Sequence, residues 1–164
     1  MTVSLRMAAA LVAVSTMGAC VNEAPTNVAS SRVEPVLVVL RDAGMLGTWA
    51  SDCAAGPSPN NWFVTYYDRG GVARRRSNRG PTEPGLDGTV DAAMRQSPSL
   101  LRMQLRNDDP NWGAQNGVSY DVVVEIASGY RRTVRSVGSD GVAYIQDGKL
   151  RDGQPSPTLI RCRA

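Results

Sequence analysis

Two stretches decide the fold: "SLLRMQLR", Ser99–Arg106, and "VSYDVVVEIA", Val118–Ala127. In the first, Leu101, Met103 and Leu105 alternate with Leu100, Arg102, Gln104 and Arg106. In the second, Val118, Tyr120, Val122, Val124 and Ile126 alternate with Ser119, Asp121, Val123 and Glu125. Successive side chains of a strand point to opposite faces, so a period of two describes half-buried antiparallel strands. Turn signals recur around them: Gly70-Gly71, Asp87-Gly88, Asn116-Gly117, Ser128-Gly129, Asp140-Gly141 and Asp147-Gly148. Asp140-Gly141 reads as the cleanest two-residue hairpin turn. From Leu46 onward the pattern predicts about eight short strands in sequence order. Such a meander closes most simply into a small antiparallel up-and-down barrel, which leaves no unpaired edge; a β-sandwich is the alternative. The class is all-β, with the barrel domain over residues 46–164.

Ahead of the strands stands "EPVLVVLRDAG", Glu34–Gly44. Pro35 suits a first helical turn and Gly44 the residue past a helix end, so 34–45 reads as a short helix or lead-in segment. Its β-branched run suits a strand as well. Residues 20–33 are small and polar without a period, the composition of a flexible tether. Residues 1–19 have the form of a signal peptide: Arg6, the apolar stretch Met7–Met17, then small residues. That stretch falls well short of the roughly twenty residues a membrane-spanning helix needs.

"MGAC", Met17–Cys20, resembles the lipobox of bacterial lipoproteins; Gly18, Ala19 and Cys20 match it, and Met17 stands where leucine is usual. The resemblance implies that Cys20 receives a diacylglycerol and becomes an acylated N terminus holding the protein to a membrane. Val21, where an aspartate would favour the inner membrane, implies the outer membrane, facing the periplasm. Cleavage near Ala19 without lipidation would instead give a soluble periplasmic or secreted protein. Of three cysteines, lipidation removes Cys20 and leaves Cys53 and Cys162, a pair that an oxidising compartment closes. The first and last strands of a barrel are neighbours. Cys53 follows the first and Cys162 lies in the last, so their bond would lock the closure, worth on the order of 4–5 kcal/mol from chain entropy.

"LGTWASDC", Leu46–Cys53, adds a second resemblance. Gly47 and Trp49 resemble the G-x-W signature of the calycins, the lipocalin and avidin group of small barrels. This implies that Trp49 closes one barrel end and that a basic residue near the last strand, here Arg161, packs over it. In size and disulfide the chain is also similar to bacterial periplasmic protease inhibitors.

Little in the composition points to catalysis. The chain has no histidine, which removes the commonest general base and metal ligand and the usual partner of a nucleophilic serine or cysteine. It carries no G-x-S-x-G, P-loop or dinucleotide fingerprint, so no cofactor is expected. Asp52, Asp121 and Glu125 are carboxylates available in principle for acid–base work. A net charge of +3 gives no argument for nucleic acid. The densest charge feature is "RGGVARRRSNRG", with Arg69, Arg74, Arg75, Arg76 and Arg79. Guanidinium groups pair with phosphate or carboxylate, making these candidate contacts to anionic envelope components. In an extended strand, however, Arg74 and Arg76 share one face and Arg75 takes the other. "NDDPNWGAQNG", Asn107–Gly117, gathers oxygen donors in a spacing that matches no calcium loop and reads as a turn-rich connection. Trp62 and Trp112 are candidates to line a barrel mouth.

These features together predict a non-catalytic envelope lipoprotein, attached to a membrane through its N-terminal lipid, whose barrel binds a small apolar or amphipathic ligand or a partner protein. The alternatives are an inhibitor of a secreted hydrolase and a passive component of an envelope assembly. Intact mass of the membrane fraction is expected to show a diacylated Cys20, and Cys20→Ser to be released or misprocessed. An unmodified soluble wild type would refute lipidation.

Overall fold

The computed structural model describes residues 34–81 and 86–163; the expected signal peptide, tether and lipidated Cys20 lie outside them. Among the described residues one α-helix, α1 (Val36–Asp42), precedes ten strands: β1 (Gly47–Ala50), β2 (Phe63–Arg69), β3 (Val72–Asn78), β4 (Leu86–Ser97), β5 (Leu100–Asn107), β6 (Ser119–Ala127), β7 (Tyr130–Gly138), β8 (Ala143–Gln146), β9 (Lys149–Leu150) and β10 (Thr158–Arg161). All neighbours are antiparallel. Eight strands form a closed ring, β1 through β7 in order and then β10, which pairs with both β7 and β1. The β8–β9 hairpin leaves the ring. The first residues of β7 pair with β10, while Ser136 and Val137 pair with β8. A bulge between these two regions, opposite Val123 and Val124, lets β7 serve both partners. Closure excludes the sandwich.

The period-two reading of β5 and β6 holds. Leu101, Met103, Leu105, Val122 and Val124 all face the core and are buried. Two turn assignments change. Asp87-Gly88 lies within β4, where Gly88 pairs with Asn107; a Cβ on Gly88 would stand 2.7 Å from the carbonyl oxygen of Arg106. This glycine permits close strand approach, not a reversal. The tight two-residue hairpin is Asp147-Gly148, both with positive φ, between β8 and β9. Asp140-Gly141 belongs to a longer connection, in which Gly141 N–H donates to Gly138 O and Gly138 N–H to Val142 O. The Asn107–Gly117 region contains a kinked 3₁₀ segment, Pro110–Gln115, whose first turn Asp109 caps by accepting from Asn111 N–H.

α1 closes one barrel end. Its C terminus is a Schellman motif: Gly44 N–H donates to Arg41 O and Met45 N–H to Leu40 O. The apolar contact that accompanies such a motif is present here as core, since Leu40 and Met45 are both fully buried. Arg95 of β4 donates to the Asp42 carbonyl at the helix end. Trp49 points inward, 3% exposed, with Nε1 donating to Met45 O at 3.0 Å. Burying the indole with its N–H satisfied combines a large apolar contribution with no polar cost.

Cys53 and Cys162 are bonded, their Cα atoms 5.4 Å apart and 109 residues apart in sequence. The loop bearing Cys53 is organised by the buried Asn61, whose Oδ1 accepts from Asp52 N–H and whose Nδ2 donates to the carbonyls of Asp52, Ala55 and Gly56. Trp49→Ala is expected to cost about 3–5 kcal/mol in denaturant titration. Reduction of the disulfide is expected to lower the melting temperature while the strand circular-dichroism signal persists, because the bond acts largely on the unfolded chain. A tolerated Trp49→Ala would contradict the core placement.

Candidate ligand cavity

The hairpins β2–β3, β4–β5 and β6–β7 lie at the α1 end. The longer connections lie at the other, where the interior opens into a cavity of about 400 Å³. Strand alternation supplies its walls. Val64 and Tyr66 come from β2, Arg75 and Ser77 from β3, and Leu105 and Asn107 from β5; Tyr120 and Val122 come from β6, and Arg131, Thr133 and Ser136 from β7. Leu159 of β10 completes the ring. Tyr144, Ile145 and Leu150 of the β8–β9 hairpin also line it, extending the wall beyond the four residues of β10. Trp62 and Arg79 stand at the mouth, the Arg79 guanidinium 3.5 Å from the indole centroid and Trp62 Nε1 donating to Pro59 O.

The mouth side is polar and aromatic. Tyr120 and Tyr144 meet edge to face at 5.5 Å. Asn107 Nδ2 lies 3.4 Å from the Tyr120 hydroxyl. Burial, reinforced by Tyr144 and Asp140, pushes the Tyr120 hydroxyl up to about 12, so it remains a neutral donor.

The floor carries an unusual group. Arg131, 4% exposed, sits between aromatic rings, its guanidinium carbon 5.2 Å from the Tyr66 centroid and 5.8 Å from that of Trp49. Nη1 donates to the Tyr66 hydroxyl at 3.3 Å, while Nε has no partner among the described residues. Burial pulls its pKa below the ordinary arginine value; the nearby Arg75 charge acts the same way and Tyr66 opposes both. Among the described residues no carboxylate lies within ion-pair distance of Arg131 or Arg75.

The arginine-rich stretch is not one patch. Arg69 is exposed at the α1 end and Arg79 stands at the mouth. Arg74 and Arg76 face outward, Arg74 in a two-pronged pair with Asp108 and Arg76 paired with Asp87; Arg75 faces inward. Strand alternation separates them, as the spacing required. Arg161 is the register partner of Trp49 and lies across Gly47. Its Nη2 donates to Leu46 O, and a Cβ on Gly47, where φ is +121°, would come within 3.4 Å of Nε. A second arginine, Arg131, has its guanidinium carbon 5.8 Å from the Trp49 ring centroid. Sequence reasoning did not single it out, although the signal existed: the Ser128-Gly129 turn pairs Ile126 with Arg131 and so puts both on the core face.

The carboxylates Asp52, Asp121 and Glu125 do not converge. Asp52 accepts from Ala54 N–H in its loop, Asp121 lies between Arg102 and Arg135, and Glu125 pairs with Arg132. Asp108 accepts from Arg74 and Thr89, and Asp109 caps the 3₁₀ segment. The side chain of Trp112 lies outside the described set. No family model, curated protein or solved structure matches the chain.

Burial alone would raise the Asp108 carboxyl pKa, but hydrogen bonds from Arg74 and Thr89 and the charges of Arg74 and Arg106 hold it below its ordinary value. Asp121, bonded by Arg102 and Arg135, is held low against the opposing effect of burial. A lowered folded-state pKa stabilises the fold above the unfolded value of about 3.9 and is lost as pH falls through the folded value. Melting temperature is therefore expected to fall as pH drops below about 4. Asp108→Asn should start lower at neutral pH and lose less on acidification; an acid profile identical to wild type would remove Asp108 from this role.

Proposed function

We propose that this is a non-catalytic binding protein of the cell envelope that holds a small amphipathic ligand inside its barrel, with Cys20 lipidated and the domain tethered to the outer membrane. The observation that carries the binding reading is the cavity of about 400 Å³. It falls within the range of small-molecule sites, roughly 300–1,000 Å³. Its lining mixes Val64, Leu105, Val122 and Leu159 with hydroxyl, amide and guanidinium groups. Such a lining removes apolar ligand surface from water while a few fixed polar groups orient it. One end is sealed by α1 and the other opens beside Trp62, which gives a ligand one route in.

The neutral dye phenylnaphthylamine, whose emission rises in apolar sites, tests the reading directly. Wild-type protein is expected to bind it with micromolar affinity. Thr133→Trp and Ser136→Trp, which fill the cavity from β7, are expected to lose binding while keeping the strand signal. Equal emission with wild type and both filled variants, or none with wild type, would overturn an interior ligand site.

A further inference from the structure

The inner and outer faces of this barrel treat arginine differently. On the outside, Arg74, Arg76, Arg102, Arg106, Arg132 and Arg135 each reach a carboxylate. On the inside, Arg131 is buried and reaches no carboxylate among the described residues, and Arg75 lines the same cavity. Two cations face one interior, Arg131 buried and Arg75 half-buried, and among the described residues no acid lies within ion-pair distance of either. Packing considerations alone do not favour this, because an uncompensated buried charge is destabilising and an apolar side chain of similar volume would serve the core better. Aromatic faces at 5.2 and 5.8 Å offset only part of that cost.

The donors also share one region. Tyr66 and Arg75 are direct cross-strand partners on β2 and β3. Across the barrel, Arg131 donates to the Tyr66 hydroxyl, which keeps that hydroxyl's own proton free to donate elsewhere. The floor thus offers guanidinium N–H groups and one O–H, with Leu159 beside Arg131, while Val64, Leu105 and Val122 also line the cavity. A guanidinium fork matches the two oxygens of a carboxylate, and the interaction strengthens where water is excluded.

Resting on the reading of the barrel as a ligand carrier, we propose that its ligand is an anionic amphipath, a medium-chain carboxylate. Its head group lies on Arg131, Arg75 and the Tyr66 hydroxyl, and its tail points toward the mouth. The ligand supplies the counter-charge that the described residues do not place beside Arg131 and Arg75. Arg131 selects acid over neutral lipid, and Arg75, only half-buried, draws the anion inward.

Displacement of bound phenylnaphthylamine by decanoate and by decanol tests this at neutral pH. Decanoate is expected to compete roughly tenfold or more better than decanol, the scale of a hydrogen bond to a charged group. Arg75→Met and Arg131→Met are each expected to weaken decanoate more than decanol, so that the preference for the acid shrinks. Arg131→Met is also expected to melt at or above the wild-type temperature, since it removes an uncompensated buried charge; a purely structural Arg131 would give a lower melting temperature. Should Arg131→Met fail to fold, Arg75→Met and the wild-type comparison of acid with alcohol still decide the matter. Equal competition by decanoate and decanol in a wild type that binds dye would overturn the head-group assignment and leave the cavity reading standing. Absence of dye binding would overturn the cavity reading itself.

Discussion

The whole architecture depends on a strand of four residues. β10 supplies the missing hydrogen bonds of both β7 and β1, so Thr158–Arg161 turns a seven-strand meander into a ring. Its inward residue Leu159 pairs with Arg131, so the strand also covers the buried guanidinium. A strand this short holds few ladder bonds, and the disulfide at its end compensates by reducing the freedom of the unfolded chain. The bond joins Cys162 to a loop that Asn61 has already organised. Closure, staple and loop therefore act as one unit.

Closure also makes the two barrel ends unequal. At the α1 end the hairpins are short, and Leu40, Met45 and Trp49 fill the space between them. At the other end the connections are long, and β7 divides its edge between β10 and the β8–β9 hairpin. The bulge opposite Val123 and Val124 makes this division possible. Without it, a straight β7 would continue along one partner and the wall lined by Tyr144, Ile145 and Leu150 would have no origin. Cavity and plug are thus two results of one chain arrangement.

Charge follows the same inside–outside division. Exposed arginine–carboxylate pairs contribute little individually, typically about 0.2–1 kcal/mol. Asp121 is less exposed than Arg102 and Arg135, Asp108 and Arg74 are both mostly shielded, and each carboxylate accepts from more than one donor, so they join adjacent strands. Among the described residues the interior arginines Arg75 and Arg131 follow no such pairing rule. A buried arginine with no carboxylate beside it among the described residues is a liability for folding, and Arg131 takes a recognition role only in the proposed ligand reading.

Alternation in β5 and β6 made the all-β class legible, because a half-buried strand must segregate its side chains with period two. The separation of Arg75 from Arg74 and Arg76 followed from the same rule. The cysteine count and the return of the chain to its start made the disulfide legible too. Gly44 marked the end of α1, since few other residues adopt its left-handed backbone. Tertiary structure decided the rest. Asp87-Gly88 has the composition of a turn, but it lies in a strand because Gly88 answers to the Arg106 carbonyl on β5, a contact invisible in local sequence. The departure of β8 and β9 from the ring depends on where β7 bulges, which its residues do not announce. Whether the inward side chains meet or leave a space depends on ring closure and on how far α1 enters, both sums over the whole chain. So alternation determined that Arg131 would face inward, and only the folded barrel decided that it would face a cavity.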